Sequence, residues 1–214
     1  MKNVIAINGS PRNNASTAAL LTSALDGATS VGANTETVNL YELDFKGCVS
    51  CFSCKLKGSE SYGKCAHQDD LTPILEKIEK ADALIFGSPI YFGNITGEMR
   101  SFFERLLFQH LVYDANFSSL NTNKISTAFI YTMNVPENLM NKLGYPAALG
   151  VLEYSISKNF GKCEPFYVTD TNQFDDYSKY VCDAFDPAHK AKIKEEEFPK
   201  DLQKAFELGR KLVS

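Results

Sequence analysis

Tryptophan is missing from this chain of 214 residues, and histidine (3) and methionine (4) are scarce. No apolar run approaches the roughly 18 residues that a membrane-spanning helix needs. Gly (13) and Pro (8) are too few for a collagen-like or broadly disordered chain. Basic charge is not in excess: Lys plus Arg total 22 against 26 Asp plus Glu, a net charge of −4. That balance argues against nucleic acid or an acidic membrane surface as partner. The first apolar run, Val4-Ile5-Ala6-Ile7, breaks at Asn8-Gly9, too early for a signal-peptide core. The expectation is therefore a cytoplasmic protein, in which the six cysteines would not form structural disulfides.

What is present reads as one domain over residues 1–214, since roughly 150 residues per domain leaves room only for elaborations. Buried strands are expected at 4–7, 83–87, 125–131 and 164–168, and a more exposed one at 35–40. Helices are expected over 16–28, capped by Ser16 or Thr17, and over 69–80, 96–108, 137–159 and 201–212. Asp69-Asp70 would suit the positive end of the second helix dipole. Strands alternating with helices imply a parallel sheet covered on both faces. Two stretches lack periodicity: a cysteine-rich insertion at about 45–68 and a polar, acidic start to a C-terminal elaboration at about 170–214.

In an open doubly wound sheet, ligands sit outside the carboxyl ends of the strands, at the switch in strand order. Three post-strand loops lie there: 8–17, 88–97 and 131–136. The first, Asn8-Gly9-Ser10-Pro11-Arg12-Asn13-Asn14-Ala15-Ser16-Thr17, offers backbone N–H groups, hydroxyls and a helix N-terminus, which suits a phosphate. It contains no GxxxxGK[ST] and no GxGxxG, so nucleoside-triphosphate and dinucleotide loops are excluded. Without a cysteine it cannot be a cysteine phosphatase either. In the second loop Pro89 halts the strand, Ile90, Tyr91 and Phe92 offer apolar surface, and Gly93 permits close approach to a flat ring. The third runs Tyr131-Thr132-Met133-Asn134.

Gly9-Ser10-Pro11-Arg12 with Ser16-Thr17, followed by Gly87-Ser88-Pro89-Ile90-Tyr91-Phe92-Gly93, resembles the NADPH-dependent FMN reductase group of the flavodoxin-like superfamily. The resemblance runs from residue 2 to about 168. It implies an α/β flavodoxin-like three-layer sandwich with a five-stranded parallel sheet of order 2-1-3-4-5, and one FMN per subunit. It further implies that Ser10, Arg12, Asn14, Ser16 and Thr17 hold the FMN phosphate. The isoalloxazine would lie against Pro89, Ile90, Tyr91, Phe92, Gly93 and Asn94, with Thr132 and Met133 at its other edge. NAD(P)H would be the co-substrate, and a homodimer or homotetramer the assembly. Flavin performs such chemistry itself, so no catalytic triad is expected. His67, His110 and His189 have no visible partners in the sequence and read as surface or packing residues.

Cys48-x2-Cys51-x2-Cys54, followed after ten residues by Cys65, has the tight spacing of an iron–sulfur ligand run. It also resembles the iron–sulfur flavoprotein branch of the same family, where such a run follows the second strand and carries a four-iron cluster (4Fe-4S). The last gap is longer than in that branch, and the insertion Gly58-Ser59-Glu60-Ser61-Tyr62-Gly63 leaves room to bring Cys65 back. Zinc bound by four thiolates, a redox dithiol of Cys51 and Cys54, and free thiols are the alternatives. Cys163 and Cys182 read as structural.

Three functions follow as expectations. The first is an FMN-dependent NAD(P)H oxidoreductase that reduces a quinone, a flavin or another small acceptor. The second is an iron–sulfur flavoprotein exchanging single electrons with a ferredoxin-like partner. The third is a non-catalytic redox-sensing module on the same fold.

Overall fold

Successive side chains of a strand point to opposite faces, and the first strand shows what this does here. Val4 and Ala6 of β1 (Asn3–Asn8) enter one hydrophobic cluster, whereas Ile5 and Ile7 enter another. The computed structural model describes all 214 residues, and its sheet has two buried faces throughout its centre. The other strands are β2 (Asn34–Asn39), β3 (Ala83–Pro89), β4 (Ser126–Thr132) and β5 (Cys163–Val168). All pair in parallel, in the order β2-β1-β3-β4-β5. This is the flavodoxin-like order. Every residue of β3 is buried, as its continuous apolar run requires of a central strand.

Helix α1 (Ser16–Ser30) covers one face, together with the C-terminal α7 (Phe198–Val213). The other face is covered by α2 (Thr72–Ile78), α3 (Gly97–Phe108) and α5 (Tyr145–Phe160). With no tryptophan available, phenylalanines fill that second layer. Phe86 meets Phe103 at 4.9 Å between ring centroids, and Tyr131 stacks on Phe129 at 4.1 Å.

Several expected boundaries move, each for a local reason. The long helix expected over 137–159 is two, α4 (Glu137–Lys142) and α5, because Gly144 takes a left-handed conformation (φ 72°) between them. Neither Ser16 nor Thr17 caps α1, whose N-cap position is Ala15. The Thr17 hydroxyl instead hydrogen-bonds that of Thr132 at 2.7 Å. Nor do Asp69 and Asp70 open α2. Asp69 accepts from the Leu71 N–H at 3.1 Å but turns its other oxygen to Arg105, and Asp70 accepts from the Asp44 N–H. The closing helix starts three residues early, at Phe198, and follows a wider turn at Ile193–Glu197 that continues α6 (Pro187–Lys192).

The two helices of the first layer approach closely because each presents a glycine to the other's backbone. A Cβ on Gly209 would lie 1.7 Å from the Ala24 carbonyl oxygen, and one on Gly27 would lie 1.9 Å from that of Phe206. Backbone cannot yield as a flexible side chain does. Gly209→Ala is therefore expected to destabilise the fold by at least about 1–3 kcal/mol, the usual cost of overpacking. A urea titration checks this, and an unchanged midpoint would show that α7 is free to slide.

Candidate functional site

The strand order reverses at β1, which lies between β2 and β3, so the crevice opens beyond their carboxyl ends. Register brings those ends level: Asn8 pairs with Asn39 and Gly87, Pro89 with Thr132, and Thr132 with Val168. The first loop is built tightly on this edge. Gly9 donates to the Gly87 carbonyl at 2.8 Å, and its own carbonyl accepts from the Thr96 hydroxyl at 2.7 Å. Ser10 is buried; its N–H is held by the Asn8 side chain and its hydroxyl accepts the Arg12 N–H at 3.1 Å. Arg12 reaches across the crevice and donates to the Gln173 carbonyl at 2.9 Å.

One pocket at this edge gathers residues of all three expected loops: Ser10, Arg12, Ser16 and Thr17, then Pro89, Ile90 and Tyr91, then Thr132, Met133 and Asn134. Phe92, Gly93, Asn94 and Asn14 do not line it. Phe92 and Gly93 form the tip of a tight turn, closed by reciprocal bonds between Tyr91 and Asn94, and both take positive φ (52° and 79°). That geometry turns the Phe92 ring fully into solvent at the rim. Asn94 faces a groove between α3 and α5, and Asn14 lines a neighbouring cleft with Phe174 and Asp201.

A fourth loop, Thr171-Asn172-Gln173, completes the pocket from beyond β5, and Tyr145 closes it from the start of α5. The polar, acidic pattern of 170–198 predicts surface, yet Thr171, Asn172 and Gln173 line the pocket. The signal was available, because the switch-point argument applies equally to the loop after the fifth strand. Two acceptors here are unmet: the side-chain oxygens of Asn134 and Asn172 are buried and have no hydrogen-bond partner. A buried acceptor left unmet costs about 1–3 kcal/mol, so a donor-bearing ligand would relieve both.

The C-terminal elaboration is locked over this edge. Lys190, 1% exposed, donates to the Asn134 carbonyl at 2.8 Å and is paired with Asp170. Burial would raise the Asp170 pKa, but bonds from Lys190 and His189 overcome it and hold the carboxyl below its ordinary value. His189 thus has a partner that the sequence did not reveal. His110 is a packing residue, its imidazole pushed down to about 4 by burial. His67 sits 3.5 Å from Asp69.

A second, smaller pocket is lined by Cys48, Cys51, Cys54 and Cys65 together with Glu104 and Arg105 of α3. All four are free thiols, and no three His, Cys, Asp or Glu side chains converge as a metal-ligand set. The backbone coils around Cys51, with Ser50 and Phe52 both at positive φ (54° and 58°), a strain that clusters at ligand clamps. Hydrogen bonds from Ser53 hold the Cys51 thiol below its ordinary pKa, and burial pushes that of Cys54 up. Lys55 pins the loop to the end of α3 through the Gln109 and Leu111 carbonyls, at 3.1 and 2.6 Å. A cleft of about 840 Å³ between α3 and α5 shares Cys48, Glu104 and Phe108 with this pocket but holds no unpaired buried polar atom. No helix is long and apolar enough to cross a membrane.

Comparison with known proteins agrees with this geometry. The model of the family described as NADPH-dependent FMN reductase matches residues 2–135. An iron–sulfur flavoprotein of Methanocaldococcus jannaschii is 36% identical over 102 residues, covering 48% of this chain and 50% of that protein. An iron–sulfur flavoprotein of Archaeoglobus fulgidus is 37% identical over 102 residues, covering 48% and 47%. The matches thus span about half the length of these relatives. Among solved structures, the NAD(P)H:quinone oxidoreductase from Methanothermobacter marburgensis superposes with a TM-score of 0.73 at 15% identity, covering 100% of this chain and 98% of that one. An FMN-dependent NADH-azoreductase from Bacillus anthracis, in complex with FMN, gives 0.67 at 11% identity and covers 100% of both chains. At such identities these superpositions establish the fold alone.

Proposed function

Because the chain belongs to the NADPH-dependent FMN reductase family, we propose that it is an FMN-dependent oxidoreductase that draws electrons from NAD(P)H and reduces a quinone, a flavin or another small acceptor. The observation that carries this reading is the pocket at the carboxyl ends of β1, β3, β4 and β5, with its two unpaired amide oxygens. FMN, when bound, would supply the electron-carrying chemistry. The chain's own residues bind and orient. Ser10, Arg12, Ser16 and Thr17 would hold the phosphate beside the N-terminus of α1, whose dipole favours an anion. Asn134 and Asn172 would accept from N–H or O–H groups of the cofactor, and Pro89, Ile90, Tyr91 and Met133 would supply apolar wall.

The pocket encloses about 90 Å³, well under the roughly 300–1,000 Å³ that engulfs a whole ligand. Part of the cofactor would therefore rest on the rim, where Tyr91 and Phe92 are exposed. An open ring face fits alternate visits by NAD(P)H and acceptor. The same exposed rim is consistent with a homodimer or homotetramer.

A second reading rests on the four thiols that line one pocket, and on the similarity over about half the chain to iron–sulfur flavoproteins. Cys48, Cys51, Cys54 and Cys65 would ligate a four-iron cluster, and a ferredoxin-like protein would be the electron partner. Four cysteine sulfurs are the full donor set of such a cluster, and equally of zinc.

Protein purified without oxygen separates the readings. Bound FMN with NADPH oxidation by a quinone supports the reductase. Iron and sulfide in stoichiometry with flavin support the cluster. FMN without turnover of NADPH or NADH would leave a redox-sensing module, and failure to take up FMN at all would overturn the proposal.

A further inference from the structure

Arg105 is 1% exposed, on a helix face where Phe102 and Leu106 flank it with apolar bulk. Burying a guanidinium is costly unless its five N–H donors are met. All five are. Nε donates to the Cys65 sulfur at 3.0 Å. Nη1 donates to the Lys46 carbonyl at 3.0 Å and to Asp69 Oδ2 at 2.7 Å. Nη2 donates to the His67 carbonyl at 2.9 Å and to Asp69 Oδ1 at 3.2 Å.

The placement of these acceptors is informative. Lys46 lies two residues before Cys48, and His67 two residues after Cys65, so one side chain clasps both ends of the segment that carries all four thiols. A structural ion pair with Asp69 alone would use only two donors. The sulfur contact goes further, because a neutral thiol is a weak acceptor, whereas a metal-bound thiolate carries negative charge. Glu104 and Gln109 of the same region hold the Cys48 and Cys65 N–H groups at 3.3 and 3.0 Å, so α3 is the platform on which the outer cysteines sit.

We propose that Arg105 is the positioning residue of the thiol site: it fixes Cys65, closes the 46–69 segment, and would raise the reduction potential of a cluster held there. This inference rests on the cluster reading above. Hydrogen bonds to ligand sulfurs and nearby positive charge both favour the reduced, more negative cluster. Lysine cannot replace the fork, since its single ammonium cannot reach five acceptors in one plane.

The test uses anaerobically purified holoprotein as wild type, Arg105→Gln, Arg105→Lys and Asp69→Asn. The readouts are iron and sulfide per FMN and the cluster midpoint potential followed by electron paramagnetic resonance. Arg105→Gln should shift the reduction equilibrium about tenfold toward the oxidised form, about 59 mV for one electron. Arg105→Lys should shift it less, and Asp69→Asn, which keeps the guanidinium on the sulfur, should not lower it. Wild-type potential in both Arg105 variants with full iron overturns the proposal. Should Arg105→Gln fail to fold, iron loss in Arg105→Lys with retention in Asp69→Asn supports it, and equal loss in both overturns it. Wild-type protein without iron refutes the cluster reading instead, and alkylation of that protein then reads the clasp. Cys65 reacting more slowly than Cys51 in wild type, and as fast in Arg105→Lys, supports positioning; the same rates in both proteins overturn it.

Discussion

Combining Ser10→Ala with Thr17→Val is expected to weaken FMN binding about 30-fold or more, that is by about 2–6 kcal/mol at about 1–3 kcal/mol per lost charge-assisted bond. Both hydroxyls are buried at the polar end of the pocket, and both already organise it. Ser10 holds the Arg12 N–H at 3.1 Å, so its loss releases the turn that aims Arg12 and the backbone N–H groups. Thr17 shares a hydrogen bond of 2.7 Å with Thr132, joining the first loop to the end of β4. Valine keeps the β-branching of threonine but leaves the buried Thr132 hydroxyl unpaired, at about 1–3 kcal/mol of stability, so the dissociation constant is measured well below the unfolding temperature. Calorimetric titration of apoprotein with FMN measures it. An unchanged constant would move the phosphate away from this loop.

If the thiol pocket holds the four-iron cluster of the second reading, Cys54→Ser is expected to lower iron and sulfide per flavin to near zero while leaving FMN content as in wild type. Cys54 is the buried member of the four, 7% exposed, so solvent ligands cannot readily replace it. The alcohol of serine is too weak an acid to stand in for a thiolate at neutral pH. FMN should be retained because the thiol pocket and the proposed flavin pocket share no lining residue. Cys163→Ser is the control: its thiol, raised to about 11 by burial, belongs to the first residue of β5, in the core and outside both pockets. Equal iron in the two variants would remove Cys54 from the ligand set. Zinc in place of iron in wild type, lost on the same substitution, would keep the site and change its metal.

The two sites differ in how far they could be read without coordinates. The first loop is a local object: Gly9-Ser10-Pro11-Arg12 lies between a strand and a helix whose signals are periodic and short-range. The cysteine run is local too, because its spacing is its signature. Asn172 is different. It matters only because β5 pairs beside β4, which brings the loop after it level with Met133; the Thr171 N–H donates to the Met133 carbonyl at 3.0 Å. Lys190 was likewise illegible, since a charged residue in an acidic stretch looks like solvated surface until its helix folds back onto Asp170.

The chain's own pattern determined the strand and helix alternation, the parallel class, the phosphate-type loop and the grouping of thiols in one segment. These depend on which residues are neighbours along the backbone and on burial with a period of two or 3.6 residues. Only the tertiary structure decided which amides face the pocket, where α4 and α5 part at Gly144, and that a buried Arg105 holds Cys65 from 40 residues away. At helical spacing Arg105 falls among Phe102 and Leu106, and periodicity cannot distinguish a misplaced charge from one with five partners waiting. Those partners come from a segment without periodicity of its own, whose path is set by the helix it crosses.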